Sequence, residues 1–251
     1  MFYFTIFFAC QRPVEAPEDL ESLCSFLFSN HASTEKSEVG IENLLDWRNQ
    51  NNIHENGYSI DNLTKEHLEN ATAPSADLQD QMGVAILHQL DIPPQELAYA
   101  ISGLPPSVVA PETFLASSKE YDYGEDCFWE FECDVQGFYS ELEIAFPLGV
   151  VANGSLYSEL RWVETPHGKA LLQRDWLLEA ADMNVNWINI EAQYSLSGVV
   201  PITEKESLRI DSLWSVLSLG DTPVDSNIGM SLLIGKSQKT IEEILVYLEE
   251  N

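Results

Sequence analysis

The segment Lys169-Ala170-Leu171-Leu172-Gln173-Arg174-Asp175-Trp176-Leu177-Leu178 decides the fold. Side chains of an extended chain alternate between two faces. That puts Ala170, Leu172, Arg174, Trp176 and Leu178 on one side, and Leu171, Gln173, Asp175 and Leu177 on the other. Tyr157 to Val163, Val185 to Leu196 and Leu208 to Leu219 are similarly long and rich in β-branched or aromatic residues. Turn-forming sequence separates these stretches at Thr165-Pro166-His167-Gly168, at Asp182-Met183-Asn184 and from Gly198 to Glu206. Three successive hairpins predict an antiparallel meander. Beyond it the period changes: Ile241, Ile244, Leu245 and Leu248 form one stripe at helical spacing, with Glu242, Glu243, Glu249 and Glu250 off it. Residues 226–250 are therefore a C-terminal helix packed on the sheet.

Working toward the N-terminus, residues 18–102 read as helical. Pro17-Glu18-Asp19 places a proline and acids at a helix start, before Leu20, Leu23, Leu27 and Phe28. Val39, Ile41, Leu44, Leu45 and Trp47 predict a second helix, and a short third follows Gly57. Leu78, Met82, Ala85, Ile86 and Leu90 predict a fourth, and Pro93-Pro94 opens a fifth that ends at Gly103. From Leu104 the prolines at 105, 106 and 111 discourage regular structure. The expected class is α+β, in four parts. Residues 1–19 are a leader-like segment and tether, 20–103 a helical region, 104–136 an irregular linker with a cysteine loop, and 137–251 a curved antiparallel sheet with its helix.

The 251 residues are 45% apolar, which supports a substantial core. Twelve Lys+Arg stand against 41 Asp+Glu, a formal net charge of −29. Nucleic acid and anionic membrane are thereby excluded as partners, since both need clustered cations. No apolar run reaches the roughly 18 residues that span a bilayer. The sequence has no Gly-x-Ser-x-Gly elbow, no phosphate-cradling glycine loop and no His-Glu-x-x-His. No catalytic residue, cofactor or metal is assigned: Cys127-x5-Cys133 is not zinc spacing, and the five histidines are scattered singly. Cys24, on the apolar stripe of the first helix, reads as a small buried hydrophobe.

Phe7-Phe8-Ala9-Cys10 follows an apolar run and precedes polar, acidic sequence. It resembles the lipobox of bacterial lipoproteins, which implies acylation at Cys10 and a membrane-anchored place on the periplasmic side of the cell envelope. With Cys10 acylated, the close pair Cys127 and Cys133 is the expected disulfide. Cys133-Asp134, Arg161-Trp162, Arg174-Asp175-Trp176 and Leu213-Trp214 resemble uncharacterised lipoproteins of myxobacteria and related marine bacteria. In those, a helical segment, a Cys-x5-Cys loop and a strand with Arg-x-Trp follow the lipobox. The element order over residues 125–250 resembles the START-like, or helix-grip, fold, in which a curved sheet wraps a C-terminal helix around an apolar-ligand cavity.

That resemblance implies a site. Trp162, Trp176, Trp187 and Trp214 fall one to each of four expected strands, and Arg174 shares a face with Trp176. The expected site is a cavity between sheet and helix, walled by these indoles, with Arg174 holding the acidic head of an amphipathic ligand. The alternative is a solid core with Arg174 paired to a carboxylate, in an interaction protein whose acidic surface meets a cationic protein.

Overall fold

The computed structural model describes residues 14–54, 56–69, 78, 80–124, 126–220, 222, 223 and 225–251. Two helices open it. The Asp19 carboxylate accepts from the Ser22 N–H at 2.8 Å to cap α1 (Leu20–Asn30), and the Ser33 hydroxyl caps α2 (Thr34–Gln50). There follow β1 (Tyr58–Ser59), α3 (Lys65–Glu69), β2 (Gln81–Leu90) and α4 (Pro94–Ala98), which continues into a π-helical turn at Tyr99–Gly103. Next come α5 (Pro106–Val109), β3 (Phe114–Tyr121), α6 (Asp126–Trp129), β4 (Val135–Ala145) and a 3-10 turn at Pro147–Gly149. The meander is β5 (Val151–Thr165), β6 (Gly168–Leu177), β7 (Asp182–Met183), β8 (Asn189–Pro201), β9 (Ser207–Leu219) and β10 (Thr222–Pro223), and α7 (Ser226–Glu250) closes the chain.

All pairings are antiparallel, in the order β1-β2-β9-β8-β6-β5-β4-β3. The sheet has two covered faces. On the outer one, Trp176, Tyr194, Leu196 and Trp214 pack beneath Leu23, Leu27 and Phe28 of α1. On the inner one, Leu160, Trp162, Leu171 and Val199 meet Ile241 and Ile244 of α7 and Leu97 of α4. Strands in a sheet lie ~4.8 Å apart. Lys119 of β3 and Arg209 of β9, five strand intervals apart in that order, nevertheless line one hollow under α7. The sheet is therefore strongly curved, with α7 on its concave side.

The α+β class, the meander, the curved sheet and the C-terminal helix stand as read from the sequence. The helix expected from Leu78 to Leu90 is instead β2, paired along its whole length with β9 from Gln81↔Val216 to Leu90↔Ser207. Seven successive residues from Gln81 are buried, because α1 covers one face of this strand and α7 the other. A strand covered twice shows no alternation, and its short apolar run imitates a buried helix. The linker expected over 104–136 contains β3, the edge strand beside β4. The strand expected from Val185 begins at Asn189, which leaves Trp187 in the preceding loop.

Cys127 and Cys133 are joined by a disulfide. Cys24 is buried, and loss of hydration pushes its thiol up to about 12. Cys10 lies outside the described residues.

Candidate functional site

Gln173 and Asp175 belong to the face that Arg174 and Trp176 do not share, and that face looks at α7. Asp175 is buried and accepts from Gln173 Nε2 at 2.6 Å and from the Ser195 hydroxyl at 2.9 Å. Desolvation raises its pKa, opposed by those bonds, by Ser158 and by the charge of Lys119. Two strands away, Arg209 is only 5% exposed. Its Nε donates to Asp211 Oδ2 at 2.6 Å and its Nη2 to Asp211 Oδ1 at 3.0 Å, while Nη1 has no hydrogen-bond partner.

These groups surround three hollows between the concave sheet and α7. A polar one of about 170 Å³ reaches Lys119, Ser158, Gln173, Asp175 and Arg209. A second polar one of about 140 Å³ adds Ser197 and Asp211. The third, about 240 Å³, is almost wholly apolar, walled by Phe146, Val150, Ile190, Leu217 and Leu233. Its lip is formed by Leu148, 94% exposed at a φ of 64°, with Trp187 at 48% and Ile228 at 56%.

Lys236 of α7 lines all three hollows. Its Nζ lies over the Phe146 ring at 5.2 Å and the Phe114 ring at 5.8 Å. Among the described residues the ammonium makes no hydrogen bond or ion pair. Burial alone pushes its pKa down to about 8. The chamber thus has an apolar lobe open at an apolar lip and a polar end, with an uncompensated amine where they meet.

Of the residues expected in the site, one is there. Trp187 stands at the lip of the apolar lobe. Trp162 is on the inner face but beneath α6, stacked on Phe128 at 5.3 Å, with its indole N–H donating to the Phe128 carbonyl at 3.0 Å. Trp176 and Trp214 lie on the outer face under α1. Arg174 is 2% exposed and outside the chamber. Its Nε donates to Glu159 at 2.6 Å and Nη1 to the Phe28 carbonyl at 3.0 Å, with its guanidinium carbon over the Phe28 and Trp176 rings at 5.9 and 5.7 Å. The shared parity of Arg174 and Trp176 is right; the face they share is closed by the N-terminal helices instead of α7. Lys236 and Arg209 were not singled out from the sequence. The available signal was a lysine three residues after Leu233 and five before Ile241, on the inward stripe of an amphipathic helix.

A curved antiparallel sheet closing around a long C-terminal helix, with a chamber between them, decides the architecture. It is a helix-grip. No family model matches the chain, and no curated protein matches it significantly. Among solved structures, this helix-grip is similar to a START superfamily protein from Mycobacterium smegmatis (10% identity, TM-score 0.44, 67% of this chain and 97% of the other). It is also similar to the Zhui aromatase/cyclase from Streptomyces sp. R1128 (10%, 0.45, 67% and 94%) and to a STAR-related lipid transfer protein fragment from Xanthomonas axonopodis (13%, 0.43, 70% and 97%). Likenesses this loose assign neither ligand nor activity to the helix-grip described here.

Proposed function

We propose that the protein binds an apolar or amphipathic small molecule in the chamber under α7. The observation that carries this reading is the apolar lobe, open at Leu148, Trp187 and Ile228 and sharing Gln193 and Lys236 with the neighbouring polar end. Water held in such a lobe finds almost no polar partner, so an apolar chain displaces it favourably. Trp187 at the lip is a built-in reporter. Titration of the full-length protein with fatty acids and lysophospholipids should give saturable quenching that is lost in Trp187→Phe. No saturable change in wild type, together with no small molecule retained in native mass spectrometry, returns the acidic interaction protein as the better reading.

The same proposal places the protein at the bacterial cell envelope, anchored through acylated Cys10. The support is the lipobox-like Phe7-Phe8-Ala9-Cys10 and the Cys127–Cys133 disulfide, a bond at home in oxidising compartments. Radiolabelled palmitate should enter the wild-type chain and not Cys10→Ser; a wild-type chain that stays soluble and unlabelled overturns it.

A further inference from the structure

A chain of net charge −29 has placed three of its 12 Lys and Arg around one internal hollow. Lys119, Arg209 and Lys236 face the polar end of the chamber, and among the described residues lining that end the carboxylates are Asp175 and Asp211. The charges pair off unevenly. Asp211 takes both hydrogen bonds of a bidentate contact with Arg209. Asp175 feels the charge of Lys119, whose Nζ also donates to the Ser102 and Leu104 carbonyls. Lys236 is left over. Two donors therefore stand unused at the polar end: the Lys236 ammonium and Arg209 Nη1, the second on a residue 95% buried. A buried donor without an acceptor costs stability, and an ammonium on a half-buried side chain without a counter-ion costs some as well. Both residues line the chamber, where an anion can receive from them.

We infer that the polar end of the chamber receives the single negative charge of a carboxylate, bound between Lys236 Nζ and Arg209 Nη1, with the ligand's apolar chain in the lobe walled by Phe146, Ile190 and Leu217. The inference rests on the ligand-binding reading above and names its ligand class: a long-chain monocarboxylic acid. One negative charge balances the one surplus cation, and a carboxylate accepts from both donors at once. A dianionic phosphate monoester would leave a charge over. A neutral alcohol would leave the ammonium uncompensated.

The test compares three probes of equal chain length, dodecanoate, dodecanol and dodecyl phosphate, by calorimetric titration of the full-length protein at pH 7. Dodecanoate should bind at least ~10-fold more tightly than dodecanol, the gain expected of a charge-assisted hydrogen bond in a desolvated site. Lys236→Met should erase that gap by weakening the acid while leaving the alcohol unchanged, and Lys236→Arg should restore most of it. Equal affinity for acid and alcohol in wild type, a gap that survives in Lys236→Met, or tightest binding of the phosphate would each overturn the carboxylate site while leaving a ligand chamber standing. Failure of all three probes to bind would remove the chamber reading and the carboxylate site together.

Discussion

The two faces of the sheet are both buried, yet they are built on opposite principles. The outer face is closed. Of the two buried cations among its described residues, Arg174 has a carboxylate, a backbone carbonyl and two aromatic rings around it, and Arg161 donates to the Thr34 hydroxyl at 2.9 Å and the Ala32 carbonyl at 3.1 Å, with only its Nε left over. His31 sits beside Arg174 with Nε2 at 3.3 Å from the Leu172 carbonyl, held neutral as burial and the Arg174 charge push its pKa down to about 3. Its 3.9 Å approach to Glu159 is accordingly not an ion pair. The inner face is unfinished. Among the described residues it carries an ammonium without a counter-ion, and beside it in the same chamber a guanidinium nitrogen without an acceptor. Satisfaction of buried polar groups, more than burial itself, separates a structural charge from one poised for a ligand.

Substitutions on the two faces should therefore fail in different ways. The largest effect is expected for Trp214→Ala. The indole is fully buried, edge-on to Phe28 at 5.6 Å, with its N–H donating to the Asp61 carbonyl at 2.8 Å. Its loss should cost ~3–5 kcal/mol in denaturant unfolding, with ligand affinity of the folded fraction unchanged. Altered affinity in that fraction would mean the faces are coupled. Arg174→Ala leaves Glu159 without its cation and should cost about 3 kcal/mol, again without changing affinity. A variant that keeps its stability and loses binding would move the site to the outer face.

The pH profile separates the faces further. His31 is neutral in the folded state and protonated in the unfolded chain below its ordinary pKa, so the unfolded state binds more protons between about pH 6.5 and 3. Stability should fall across that window as pH drops, by on the order of 4–5 kcal/mol beyond the loss seen in His31→Gln. Parallel acid limbs in the two proteins would show that His31 is not the cause. Lys236 has the opposite consequence. Its amine is depressed to about 8, so its charged form weakens the fold below that pH and the cost fades as pH rises toward the ordinary lysine value. The charged groups sharing its chamber are Lys119, Asp175, Arg209 and Asp211. Lys236→Met should stabilise the protein by roughly 1–2 kcal/mol at pH 7, a gain that disappears by about pH 10.5. A destabilised variant would show that the aliphatic stem and its stacking on Phe114 and Phe146 outweigh the buried charge.

The alternation in Lys169–Leu178 was legible, and with it the meander, the closing helix and the burial of Cys24. Which helix each face meets was not legible, because α1 and α7 both offer an apolar stripe and residue order does not say which side of a sheet a distant helix takes. Trp176 and Arg174 attracted attention by their chemistry; Gln173 and Asp175, their neighbours of opposite parity, line the chamber instead. β2 escaped notice for a related reason: burial on both faces erased its alternation. The orphaned Nη1 of Arg209 is visible only once Asp211 is seen to occupy the rest of that guanidinium.

The pairing of β2 with β9 also sets an order of events for the nascent chain. Their partners run from Gln81↔Val216 to Leu90↔Ser207, more than a hundred residues apart in sequence. Ribosomes extend a chain at roughly 5–20 residues per second, so β2 waits on the order of ten seconds for its neighbour. α1 can settle on β6 and β8 as soon as those strands form, but β2 joins the sheet only through β9. Closure of such long loops is slow in any case. β2 is thus secured long after it is made, and a chain stopped before Ser207 leaves open the long apolar edge that β9 would cover, with only the two residues of β1 on its other side.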